Sequence, residues 1–217
     1  MKTCVILYAG KVSTYALKNE FKGKTALDRS VEWAVNVEGA ETLFILSSNP
    51  LECKVNSSVP IEFITESSWN TGLLLHHIDA CMQKGGFSTA VYAWADCPFL
   101  DHSYTKELLS VHNKYRCEYT FAEGFSYGLT PEIIDNGTVR ILKNLCEKNK
   151  EDDITRETIF DLLKTDINSF EIETYIAPFD LRSLRLHFHC GTKRNTVLCT
   201  RMFELLERGD ENFEKLC

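Results

Sequence analysis

A three-layer α/β domain, with helices on both faces of a mostly parallel, mixed sheet, is the fold this sequence predicts. Three observations carry that prediction. Short apolar runs of strand length alternate with amphipathic helical stretches over the first half of the chain, the rhythm of βαβ units. Several runs, such as residues 3–8 and 91–94, are apolar on consecutive positions, as strands covered on both faces must be. The 217 residues, 44% apolar and 25% charged, suffice to bury a core without disulfide or metal staples, and with no repeat, low-complexity tract or linker they read as a single domain over 1–217.

Residues 3–8 form the first expected strand, and Ala9-Gly10 ends it with a residue free to take unusual backbone angles. Residues 11 to about 24 are expected to be a loop. From Thr25 onward Leu27, Val31, Ala34 and Val35 recur at helical spacing as far as about Val37. Residues 42–47 and 61–65 read as the next strands. A helix capped by Ser67 or Ser68 should run to about Lys84, with Leu73, Leu74, Ile78, Ala80 and Cys81 inside and Gly85-Gly86 as its stop. Residues 91–94 follow as strand, 103–115 as helix and 117–122 as strand. At Thr130-Pro131-Glu132 a cap, a first-position proline and an early acid predict a helix to about Asn149. The charged run 147–153 is expected at the surface. A helix over 155–164, strands over 172–177 and 184–188, and a helix over 194–208 complete the pattern.

The net charge of −7 argues against nucleic acid or a membrane surface as partner, because such binding depends on basic residues neutralising phosphates. A small phosphorylated ligand stays possible, since a local site can oppose the global charge. Nine cysteines, scattered and without a C-x-x-C pair, read as reduced thiols of a cytoplasmic protein, most of them small core hydrophobes. No run reaches the ~18 apolar residues of a membrane span, and no secretory h-region precedes the first strand. Trp33, Trp69 and Trp94 are expected in the core, and His76-His77 in the core or at its boundary. No nucleophile elbow, Walker loop or dinucleotide glycine triplet is present.

Residues 91–101, Val-Tyr-Ala-Trp-Ala-Asp-Cys-Pro-Phe-Leu-Asp, place an acid where a buried strand breaks before a helix. Open α/β sheets bind ligands at the carboxyl ends of their strands. Asp96 is therefore either a ligand-binding acid or a turn cap before Pro98. His187, His189 and Cys190 form a second cluster; strand alternation would put both histidines on one face, as structural side chains or as ligands of a softer metal.

The order strand, Ala9-Gly10, loop, Gly23-Lys24-x-x-Leu27, helix, followed by Trp94-Ala95-Asp96-Cys97-Pro98-Phe99-Leu100-Asp101, resembles the nucleotidyltransferases of GT-A-like, nucleotide-diphospho-sugar transferase-like fold. Within them it is most similar to the cytidylyltransferases of surface-polysaccharide synthesis. Asp153-Ile-Thr-Arg-Glu-Thr-Ile and Leu184-Arg185-Leu186 resemble that group's Glu-His-Val-Thr and Arg-Leu-Thr-Val-Asp segments, so the likeness spans residues 3–208. It implies transfer of a nucleotidyl, in that group cytidylyl, unit from a nucleoside triphosphate to a sugar phosphate or similar acceptor, with release of pyrophosphate. Asp96 then matches the magnesium ligand, a cation that would neutralise charge at the reacting phosphates.

Ala9 and Gly10 match the backbone that closes around the triphosphate. Lys11 or Lys18 would supply the catalytic cation, although either lysine can equally be a solvated surface charge, and Lys24 falls in the Gly-Lys segment. Gly128 and Glu132 match the acceptor-contacting segment, though a capped helix start explains them as well. Arg185 matches the late arginine, and His189 stands where the family keeps a second magnesium-binding acid. The first loop departs from Ala-Gly-x-Gly-Ser-Arg at Val12 and Thr14; a β-branched residue resists positive φ and blocks close approach of backbone to phosphate. The alternative reading is a fold that has lost catalysis and binds a nucleotide, a sugar phosphate or a protein partner. The chain also resembles the amino-terminal region of spirochaete proteins with a radical SAM and SPASM portion downstream.

Overall fold

The computed structural model describes residues 2–146 and 153–207. β1 (Thr3–Ala9) is buried along its whole length, with Cys4, Val5, Ile6, Leu7 and Tyr8 all at 0% exposure, as its continuous apolar run requires. The expected loop after it contains α1 (Thr14–Lys18) and a two-stranded ribbon, β2 (Glu20–Phe21) and β3 (Lys24–Thr25). Ala16 and Phe21 organise this region by packing with Leu129, Phe188, Cys190, Cys199 and Met202 in a small second core. That burial links residues far apart in sequence, which local periodicity does not register.

α2 (Ala26–Val35) opens on a capping box in which the Thr25 hydroxyl accepts from the Asp28 amide and the Asp28 carboxylate accepts from the Thr25 amide, satisfying two otherwise orphaned donors. β4 (Ala40–Ser47) and β5 (Ile61–Thr65) follow. α3 (Thr71–Gly85) begins later than expected. Trp69 is buried and donates its indole N–H to the Ser47 carbonyl at 3.0 Å, which keeps the chain out of the helix until Asn70. Asn70, not Ser67 or Ser68, then caps the helix by accepting from the Leu73 amide at 2.8 Å. Ala80 is exposed rather than inside. Gly86, at φ 65°, closes the helix in the left-handed conformation.

β6 (Thr89–Trp94) is buried throughout, and α4 (His102–Tyr115) is capped by Asp101, whose carboxylate accepts from the amides of Ser103 at 2.8 Å and Tyr104 at 3.0 Å. Asp101→Ala should lower stability by about 1 kcal/mol, read as a lower urea midpoint at unchanged m-value. An unchanged midpoint would show that these two bonds do not hold the helix start.

β7 (Tyr119–Glu123) is followed by the largest departure from expectation. Residues 132–135 are a strand, β8 (Glu132–Asp135), and the helix begins only afterwards as α5 (Asn136–Cys146). Ile133 and Ile134 are almost fully buried, and antiparallel pairing with β6 and β7 overrides the local cap-and-proline signal. The charged residues 147–152 lie outside the described residues. α6 (Thr158–Lys164) starts three residues late, because the Thr158 hydroxyl accepts from the Thr155 amide at 2.7 Å in a turn.

β9 (Ile172–Ile176) completes the sheet. The strand expected over 184–188 is absent: a 3-10 turn at Arg182–Leu184 leads to Arg185 at φ 50°, which breaks extended backbone. A single bridge, Tyr127 to His187, remains there. α7 (Lys193–Glu207) closes the described chain. The seven strands lie in the order β5-β4-β1-β6-β8-β7-β9, with β8 antiparallel to both neighbours and the other pairings parallel. Among the described residues no helix is long and apolar enough to cross a membrane, and the described cysteines are free thiols.

Candidate functional site

β1 lies between β4, which follows it in the chain, and β6, which comes after β5. The chain order therefore reverses between β1 and β6, the switch point at which α/β sheets open a crevice for ligands. The two strands leave the sheet together: Tyr8 stands opposite Trp94, and the Ala95 amide donates to the Tyr8 carbonyl at 3.0 Å. Ala9-Gly10 and Asp96 thus emerge side by side.

Asp96 is wholly buried, and Arg156 is its partner. One guanidinium nitrogen donates to Asp96 Oδ2 at 2.6 Å and the other donates to the Tyr127 hydroxyl at 3.2 Å. The guanidinium lies between two rings, 4.2 Å from the Trp94 centroid and 5.0 Å from that of Tyr127, so packing as well as charge fixes it. Burial opposes ionisation of Asp96, but the neighbouring imidazole of His189 and the guanidinium of Arg156 outweigh it and hold the carboxyl below its ordinary range. The same pairing favours the charged form of Arg156 despite its own burial.

His189 is also committed. The Gly191 amide donates to its Nδ1 at 3.1 Å, Arg156 Nη2 lies 3.2 Å from the same atom, and the Asn195 amide group lies 2.9 Å from Nε2. Nitrogen donors thus surround both ring nitrogens of His189. Its distance of 3.8 Å from Asp96 Oδ2 is too long for a hydrogen bond. The expected alignment of His187 and His189 on one strand face is replaced by two perpendicular rings 6.0 Å apart.

Magnesium takes six oxygen ligands in near-octahedral geometry. Around Asp96 stand a guanidinium, an imidazole and the Cys97 thiol at 3.6 Å. Among the described residues no three His, Cys, Asp or Glu side chains gather as a metal-binding group. This donor set does not fit magnesium, and the Arg156 guanidinium already holds Asp96 Oδ2.

The first loop is filled from below by side chains. A Cβ on Gly10 would meet Tyr8 Oη and Trp69 Cδ1 at 2.6 Å, so here the glycine admits two aromatic rings. The Gly10 carbonyl accepts from the Ser48 hydroxyl at 2.6 Å, and the Ser13 hydroxyl donates to the Cys190 carbonyl at 2.5 Å. Lys11 pairs with Asp153 and donates to the Ile154 carbonyl at 2.8 Å; it thereby anchors the segment that presents Arg156. Lys18 is exposed at the end of α1, and Lys24 pairs with Glu32 at 2.6 Å. The three lysines are not brought together.

Gly128 and Glu132 do share a site, a cavity of about 200 Å³ beyond the ends of β6, β7 and β8 that Arg156 also lines. Neither stands at a helix start. Gly128 adopts φ +93° with its α-carbon against the backbone of Phe188, while Glu132 opens β8 opposite Tyr92. Glu132 Oε2 and Ser126 Oγ are buried without hydrogen-bond partners. Burial, reinforced by Glu157 and opposed by the Tyr119 hydroxyl, pushes the Glu132 carboxyl up to about 8. Arg185 is exposed in its turn and lines no part of this cavity. Arg156 and Tyr127 carry no expectation from sequence. The one available signal was a lone arginine inside the matched segment 153–159.

No family model matches the chain. Two proteins of Treponema pallidum (strain Nichols), both described as uncharacterized, share parts of the sequence. One is 43% identical over 58 residues, 27% of this chain and 15% of that relative. The other is 36% identical over 53 residues, 24% of each. The matched stretches thus span less than a quarter of the length of either relative.

Likeness to solved structures covers nearly the whole chain. A cytidylyltransferase from Leptospira borgpetersenii serovar Hardjo-bovis (strain JB197) superposes with a TM-score of 0.72 at 14% identity, over 96% of this chain and 94% of that one. A 4-diphosphocytidyl-2C-methyl-D-erythritol synthase from Anaerococcus prevotii DSM 20548 gives 0.68 at 11% identity, over 93% and 96%. A CMP:2-keto-3-deoxy-manno-octonic acid synthetase complexed with CTP gives 0.60 at 11% identity, over 93% and 100%. At these identities the likeness is one of fold. The chain has the α/β fold of the cytidylyltransferases, a mostly parallel seven-stranded sheet flanked by helices.

Proposed function

We propose that this chain is a nucleotidyltransferase-fold binding module that takes a small ligand at the carboxyl ends of β6 and β7 and the amino end of β8, and does not perform magnesium-dependent nucleotidyl transfer at Asp96. One observation carries the reading: the 2.6 Å pair between Asp96 and Arg156 inside a sandwich of Trp94 and Tyr127. A carboxylate neutralised by a buried guanidinium has little electrostatic attraction left for a divalent cation. Displacing that guanidinium would also leave it unpaired in a low-dielectric site. Lys11, tied to Asp153, supports the same reading.

A second reading is transfer of a cytidylyl group from a nucleoside triphosphate to a phosphorylated acceptor with magnesium at Asp96. It is favoured by the position of Asp96 at the switch point beside Gly10. Calorimetric titration with CTP, ATP, GTP and UTP, each with and without magnesium, separates the two. The module reading expects less than about a twofold effect of magnesium on any nucleotide affinity, in wild type and in Asp96→Asn alike. Tight magnesium-dependent binding of one nucleotide, lost in Asp96→Asn, would establish the second reading instead.

A further inference from the structure

The cavity beside Arg156 has a chemistry that nucleotide binding does not call for. Tyr92, Tyr119, Phe121, Phe125, Tyr127 and Phe160 supply rings around it. Beyond the rings its polar residues are few: Ser126, Thr130, Glu132, Arg156 and Glu157; of the side-chain atoms of its lining, Glu132 Oε2, Ser126 Oγ and Trp94 Nε1 are buried and unpartnered. A buried polar atom with no partner carries a desolvation cost that a ligand can relieve.

Charge selects the ligand's sign. Arg156 is neutralised by Asp96, which leaves the Glu157 carboxylate and, once ionised, that of Glu132 as the cavity's groups with no ion-pair partner among the described residues. The rings add negative faces, to which cations are drawn. One wall already demonstrates the effect, since the guanidinium of Arg156 rests on Trp94 and Tyr127. Size sets a further limit: about 200 Å³ is below the roughly 300–1,000 Å³ of pockets for drug-sized ligands. Aromatic walls offer no donor set for a metal ion.

We propose that this cavity binds a compact organic ammonium ion, its charge against the Glu132 carboxylate and its carbon substituents against the surrounding rings. The inference rests on the reading that the chain binds a small ligand at this end of the sheet. In the free protein Glu132, with its carboxyl raised to about 8, is protonated at neutral pH. A bound cation would favour the ionised form, so binding releases a proton. The groups facing Glu132 are Tyr92 on β6, Tyr119 on β7, Tyr127, Arg156 and Glu157. The three tyrosines are held well above their ordinary range and Arg156 stays charged, so Glu132 is the group that titrates between neutrality and mild alkali.

The test is calorimetric titration of the chain with tetramethylammonium and with choline, using glycerol as the neutral comparison. Affinity for the cations should rise about eightfold from about pH 6.5 to 7.5, rise about threefold more to about pH 8.5, and then level off, as expected for ionisation near 8. Paired buffers of different ionisation enthalpy should report close to one proton released per ligand at the lowest pH. Glu132→Gln, nearly the same in shape, should lose at least about tenfold in affinity together with the pH dependence. Absence of cation binding at the highest pH, affinity that falls as pH rises, or binding equal to that of glycerol would overturn the proposal. The pH series on the wild type decides the matter even if the variant fails to fold. Failure here with magnesium-independent nucleotide titrations removes the ammonium ligand alone, whereas magnesium-dependent nucleotide binding lost in Asp96→Asn removes the reading beneath it.

Discussion

Arg156→Ala is expected to lower the unfolding free energy by about 3–5 kcal/mol near neutral pH, the usual cost of leaving one member of a buried ion pair without the other. Asp96 at 0% exposure cannot recruit water, and the variant also loses the stacking of the guanidinium on Trp94 and Tyr127. The pH dependence gives the effect a signature. In the wild type the carboxyl of Asp96 is held below its ordinary value, so its contribution is present above about pH 4 and fades as pH falls through the lower folded-state value.

Without Arg156, burial acts on Asp96 with far less opposition and raises the carboxyl. The variant then favours the protonated acid, and the gap between the two proteins should narrow as pH falls toward about 4. Urea unfolding at two pH values measures it. The double variant Asp96→Asn with Arg156→Met should recover part of the loss, because replacing both members of a buried pair by groups of similar shape is often close to neutral. A single variant that unfolds within about 1 kcal/mol of wild type would mean that the pair is not the cohesive centre of the site.

Gly128→Ala is the second large effect. An added Cβ would stand 2.4 Å from the carbonyl oxygen of Phe188 and 2.8 Å from its carbon, and both are backbone atoms that cannot rotate away. The φ of +93° adds strain that an L-residue carries wherever it occurs. Strain and overpacking together are worth on the order of 3–5 kcal/mol. Gly39→Ala is the matched control: its φ is +78° but nothing lies within 4 Å of its added Cβ, so only the strain, about 1–2 kcal/mol, should appear. Equal midpoint shifts in the two variants would show that the approach of Phe188 costs nothing.

Much of the architecture was legible because it follows from local rules. The consecutive apolar residues of β1 and β6, the spacing of α2 and the glycine stop of α3 each state their structure within a dozen residues. The errors share one cause. β8 was disguised by a proline and an acid that favour a helix start, and only burial of Ile133 and Ile134 between two other strands reverses that preference. The ribbon after α1 and the broken segment at Arg185 likewise depend on Phe21 and Phe188 meeting in a second core.

The site divides in the same way. Asp96 could be placed at a strand's end from its own neighbourhood, and Gly128 and Glu132 do line one cavity. Arg156, 60 residues from Asp96 in sequence, could not be paired with it, because an ion pair between distant segments leaves no periodic trace. Gly10 shows the converse limit: a glycine in a phosphate-loop pattern can be there for tryptophan and tyrosine rings.

The reversed direction of β8 alters what this edge of the sheet can become. A parallel strand delivers its last residue to the ligand-binding edge, so altering that residue disturbs whatever loop follows. β8 delivers its first residue, Glu132, while its two isoleucines stay behind in the sheet. The approach to that residue is the segment 124–131, pinned midway where Gly128 meets Phe188. Between that pin and Glu132, Leu129 and Pro131 are buried, and Thr130 is the position where an exchange can re-aim one carboxylate without unseating the strand. Ligand preference at this edge becomes separable from the stability of the sheet, an opening for redesign that strands delivering their last residues do not offer.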